Sequence, residues 1–282
     1  MTMNKRLSIL LLTAPSMIVL LGVFLLPMLL MLLLSFQNDE QAFSVENYLL
    51  FAKDPYYAEI MWRTIRVSLW TVLCSLVLGF PVAMFMAQAT GKMRGIVTML
   101  ILAPHLISVV IRNFGWVVVL GEKGWINEVL LALGLIKEPL RLLYNELGVV
   151  IGLTDSFIAY MVLAIATSLY AIDPSLSKAA SILGASRVRT FFTVTLPLSL
   201  PGLVAGTTLV FSLSMSAFVT PALMGGTSEK VMPVIAYEQI MATLNWPLGA
   251  ALAFLLLGST ILLVTLYTRL IETKRYKEVF SS

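Results

Sequence analysis

Two ionisable side chains, Arg112 and Asp155, stand inside stretches that are otherwise free of formal charge. A guanidinium and a carboxylate in such surroundings can pair and fix two neighbouring segments. Alternatively, the carboxylate can meet a cationic amine while the arginine tunes or gates it; the sequence leaves both open. Thr208, Ser212, Ser216 and Thr220 recur every four residues. That spacing puts their hydroxyls near one helix face, either to bond neighbouring helices and backbone or to line a pathway. Phe218, Pro221 and the Gly225-Gly226 pair close this stretch and suggest a bend with a flexible gate. His105 is the single histidine and Cys74 the single cysteine, so neither a metal site nor an intrachain disulfide is expected. No G-x-x-x-x-G-K-[ST] run occurs to cradle phosphates, and nothing couples His105 to a serine as a protease would require. The available chemistry is recognition and passage, and the chain is expected not to be an enzyme.

The elements that position these residues follow from composition. Of 282 residues, 59% are hydrophobic and 12% are charged, about half the charged share of a soluble domain; the mean hydropathy is +0.93. Several uncharged runs exceed the ~20 residues that cross a bilayer as helix. Alternating segments of about ten residues, the mark of a membrane barrel, are absent. The pattern predicts an all-α membrane protein with six spans, near 8–36, 62–88, 96–120, 147–170, 198–222 and 249–271. The first run is too long for a signal-peptide core, and Pro15, Gly22 and Pro27 are expected to bend it. Lys5, Arg6, Lys92, Arg94, Lys178, Arg187, Arg189, Lys274, Arg275 and Lys277 fall in segments 1–7, 89–95, 171–197 and 272–282. The first opposite connection holds Asp39, Glu40, Glu46, Asp54 and Glu59 against Lys53 alone. The positive-inside rule then places both termini in the cytoplasm. Segments 121–146 and 234–244 carry short apolar helices at the outer face, and Arg63 and Arg66 are expected to snorkel to head groups or meet an external protein.

Segment 171–197 reads as two short helices on the cytoplasmic side. Asp173 suits an N-cap and Pro174 the first helical position. Gly184 supplies a left-handed stop, and Ser186 caps a second helix running to Pro197. Surface alanines at 179 and 180 allow close approach of a partner.

The order Lys178-Ala179-Ala180, three residues, Gly184-Ala185, nine residues from the glycine to Val194, then Leu196-Pro197 resembles the coupling loop of ATP-binding-cassette (ABC) importer permeases. That loop reads E-A-A, three residues, G, nine residues, I-x-L-P. The departures are Lys178 where the family usually has Glu, and Val194 for Ile. Further stretches are similar to the spermidine/putrescine branch: Ala14-Pro15 through Pro27, Arg112 to Trp116, Gly124 to Asn127, 199–206, 218–226 and 245–251. The resemblance implies a type-1 importer permease fold. A segment 1–60 would precede a core at 61–272 that contains the coupling loop, and a cytoplasmic tail at 273–282 would follow. It implies half of a translocation pathway in the bacterial inner membrane. Arg112, Asp155, Ser212, Ser216, Phe218 and Thr220 are the pathway candidates. Lys178, Ala179, Ala180, Gly184, Ala185, Leu196 and Pro197 are the ATPase-coupling candidates. Implied partners are a second, preferably non-identical permease, two copies of a cytoplasmic ATPase that bind the ATP and magnesium, a periplasmic substrate-binding protein and membrane lipid, with no nucleic acid and no cofactor in this chain. The same branch also serves opines, 4-aminobutyrate, aminophosphonates and ferric ions. An ion-coupled secondary transporter would want inverted repeats and more intramembrane acids.

Overall fold

The structure is a computed structural model that describes residues 13–38, 42–227 and 229–271. The basic residues expected at 1–7 and 272–282, and Asp39 and Glu40, lie outside these. The chain forms two compact units, Met1–Glu59 with Ile235–Leu257, and Ile60–Val234 with Gly258–Ser282.

In the first unit, helix α1 (Thr13–Ser35) is long and apolar enough to span a bilayer. Its turn at Leu20–Leu25 is π-helical and stands just before Pro27. Proline lacks an N–H and its ring presses on the carbonyl four residues back, and a widened turn relieves that clash. Of Pro15, Gly22 and Pro27, all expected to bend this helix, Gly22 lies within the π turn and Pro27 follows it. Beyond α1, Phe36 stacks on Phe43 and Tyr48, while buried Ser35 and Tyr48 share a hydrogen bond of 2.7 Å. These contacts tie the end of α1 to α2 (Glu46–Lys53).

The second unit is built around three helices: α3 (Pro55–Gln88), most of which lies in it, α7 (Glu146–Tyr170) and α9 (Arg187–Met215). Ala83 and Met86 of α3, Met161, Val162, Ile165 and Ala166 of α7 and Val210 of α9 belong to one buried core cluster. Gly202 and Gly206 of α9 sit against Ala164, Ser168 and Met161 of α7, the small-xxx-small spacing that lets membrane helices close up. On α3 the buried stripe includes Thr64, Ser68, Thr71 and Ser75. The first three bond the carbonyl four residues back, so their hydroxyls cost little in an apolar interior. Thr64 also accepts the Met232 N–H at 2.9 Å. Thr64→Val strands that buried donor, at a cost of about 1–3 kcal/mol. A melting midpoint several degrees lower in detergent is the expected result.

The third expected span, 96–120, is not one rod. Helix α4 (Gly91–Leu102) runs into a 3-10 turn at Ala103–Leu106. Helix α5 (Val109–Leu120) then starts after extended Ile107, and the two halves bend by 95°. Pro104 and the extended residue behind it stop the ladder. Helix α6 (Trp125–Ala132) is the short outer helix read from the sequence. Buried Asn127 holds it by bonding Gly121 O, Leu140 O and Leu140 N. The fifth span stops at Met215 rather than near 222, and residues 219–224 form a separate α10 (Val219–Met224). The last helices are α11 (Met232–Met241) and α12 (Trp246–Ile271).

Candidate functional site

Helix α8 (Pro174–Ile182) follows α7 and begins where Asp173 Oδ1 accepts the Ser175 N–H at 2.8 Å. That bond holds the Asp173 carboxyl below its ordinary pKa. A depressed folded value means the cap is complete at neutral pH and is lost only on acidification through the carboxylate range. At the other end, Gly184 N bonds Ser181 O and Ala185 N bonds Ala180 O, both at 3.0 Å. This paired pattern is closed by a left-handed residue, and Gly184 has φ +80°. Ser186 Oγ then accepts the Arg189 N–H and starts α9. The tip of this turn is apolar and bare: Ile182 is 85% exposed and Leu183 87%. Leu176, Val188 and Phe192 are exposed nearby, as are Lys178, Arg187 and Arg189. Lys178, Ala179, Ala180, Gly184 and Ala185 therefore build one projecting turn. Leu196 and Pro197 do not belong to that surface. They are half-buried on α9, behind a π turn at Phe191–Thr195 that repeats the solution seen before Pro27.

The intramembrane charges meet. Arg112 Nε lies 3.8 Å from Asp155 Oδ2, and Arg112 Nη2 reaches Ser156 Oγ at 3.5 Å. His105, at the break between α4 and α5, bonds the Ser156 carbonyl through Nε2 at 3.0 Å and sets its ring edge-on to Tyr160. Thr220 leaves the four-residue ladder because α9 ends at Met215. From α10 it bonds buried Asn113 of α5 at 3.0 Å, a residue of the Arg112 to Trp116 stretch with no pathway role expected of it. Ser212 and Ser216 bond carbonyls of their own helix, and Phe218 stands at the N-terminus of α10. Arg63 and Arg66 take part in a charge network within the protein. Arg63 Nε sits 3.2 Å from Glu229 and 3.6 Å from Glu146, and Arg66 pairs with Glu146. Among the described residues no group of three or more His, Cys, Asp or Glu comes together as a metal site.

Residues 75–276 match the family described as "Binding-protein-dependent transport system inner membrane component". The spermidine/putrescine transport system permease protein PotB of Escherichia coli (strain K12) is 33% identical over 83% of this chain and 86% of its own length. PotB of Haemophilus influenzae is 33% identical over 87% of each. Among solved structures, a bacterial ABC transporter involved in the import of the acidic polysaccharide alginate shares the fold. It has a TM-score of 0.79 at 16% identity, over 96% of this chain and 98% of that one.

Proposed function

This chain belongs to the family of binding-protein-dependent transport system inner membrane components, and from that premise we propose that it forms half of an ATP-driven import pathway for a small cationic amine of the spermidine/putrescine kind. It is a multi-pass permease of the bacterial inner membrane. The reading of the cargo is carried by the identity to polyamine permeases over most of the chain. An anionic carboxylate, Asp155, in the apolar interior suits a cargo of that charge.

The working cycle divides between chains. Two cytoplasmic ATPase subunits bind ATP and magnesium and dock on the 174–190 face, where Ile182 and Leu183 offer an apolar tip. A periplasmic binding protein delivers cargo to the opposite side, and both termini of this chain are cytoplasmic. A second, non-identical permease supplies the other half of the pathway. Lys178 reverses the charge usual at its position, which favours a pair in which the partner permease carries the acidic version. Residues 1–60 precede the core at 61–272, and the tail expected at 273–282 lies outside the described residues. Nucleotide closure on the ATPases moves α8, and α9 carries that motion into the membrane because one helix runs from Arg187 to Met215.

The test is uptake of labelled spermidine by vesicles holding the co-expressed complex, with competition by unlabelled opine, 4-aminobutyrate and ferric ion. Saturable uptake blocked by polyamines alone is expected. Uptake blocked by another of these solutes and indifferent to polyamine overturns the reading.

A further inference from the structure

Among the five unbroken spans of the described residues, α7 is the most buried. One stripe along it, Leu147, Ile151, Asp155 and Ile158, stays partly open, at spacings that keep it on one face. A carboxylate facing lipid is costly and rare, so the stripe that carries Asp155 faces protein or a watery passage. The Asp155 side chain is 27% exposed and that of Arg112 is 12% exposed.

The ion pair between them is loose. Charge-assisted N–H···O bonds close to about 2.7–2.9 Å, and arginine commonly grips a carboxylate with two parallel bonds. Here a single Nε approaches to 3.8 Å, and buried Nε and Nη1 have no hydrogen-bond partner. Arg112 is near enough to neutralise Asp155 yet not bonded to it. Ser156 offers the guanidinium a second resting point at 3.5 Å, and its carbonyl is pinned by His105. Arg112 also rides on the first turn of α5, which the break at Ile107 separates from α4.

We propose that Asp155 is a cation-exchange site in the pathway wall: a primary ammonium group of the cargo takes the carboxylate from Arg112, and Arg112 reclaims it when the cargo leaves. The carboxylate is paired at every stage; while the ammonium is bound the site carries one net positive charge, and the displaced guanidinium keeps Ser156 Oγ as its polar partner. The proposal rests on the reading of the cargo as a cationic amine. His105 and Ser156 are positioning residues in it.

The test is the charge-neutral double variant Arg112→Gln/Asp155→Asn in the complete complex, read as complex recovered, ATP hydrolysis and labelled spermidine uptake. The expected result is normal recovery and hydrolysis with uptake reduced at least tenfold, a split that a merely structural pair would not give. Wild-type uptake matched by equal uptake in the double variant overturns the site alone. A wild-type complex that takes up no polyamine overturns the cargo reading and the site with it. If the double variant fails to assemble, Asp155→Glu decides. A severalfold shift in half-saturation supports the site, and an unchanged value overturns it.

Discussion

An Ile182→Asp/Leu183→Asp variant should reach the membrane in normal amount and import about a hundredfold less than wild type. Both side chains project from the turn at Gly184 and are almost wholly exposed, so the folded chain loses no packing when they change. The loss falls on whatever covers them. Burying a leucine or isoleucine contributes about 1.5–3 kcal/mol, and two such anchors replaced by carboxylates remove enough to account for that drop. Copurification of the ATPase should fall in parallel. Undiminished copurification and uptake would show that the tip touches nothing of consequence.

Gly202→Leu should have the opposite signature, a loss of protein rather than of coupling. A Cβ at Gly202 would stand 2.5 Å from the Ala164 carbonyl oxygen and 2.7 Å from Ser168 Oγ. The first of these is backbone in the middle of α7 and has no room to yield. Overpacking a tight contact costs about 1–3 kcal/mol and occasionally more, and a full leucine against backbone belongs at or above that range. A Cβ at Gly206, one turn on, would stand 2.9 Å from Met161 Sδ, so relief cannot come from sliding along the same seam. Little folded, monodisperse protein should survive extraction. Gly258→Leu is the control, since nothing lies within 4 Å of its Cβ. Equal recovery of both variants would mean that α7 and α9 do not depend on this close approach.

What could be read from the sequence was what local chemistry decides. Asp173, Pro174, Gly184 and Ser186 each act through their own backbone neighbours, and each does what its residue type predicts. Arg112 and Asp155 were visible because charge is so rare in an apolar run, and the structure brings them together. The break at Pro104 was hidden because membrane helices tolerate proline without breaking. Thr220 was misplaced for a similar reason: its hydroxyl keeps the four-residue rhythm past Ser216, although the helix has already ended. Thr64, Ser68, Thr71 and Ser75 escaped notice because their role comes from burial on α3. The sequence suggests head groups or an external protein as partners of Arg63 and Arg66, because Glu146 and Glu229, which they meet, come from distant parts of the chain.

The central claim is that the turn at Gly184 is a cytoplasmic handle gripped by a separate motor. Its most direct test is a cysteine at Ile182, in a Cys74→Ala background, labelled with a membrane-impermeant maleimide. Rapid labelling in inside-out vesicles stripped of ATPase, protection when the ATPase is restored, and no labelling in right-side-out vesicles are the predicted results. Labelling from the external side, or labelling unaffected by the ATPase, would contradict the account.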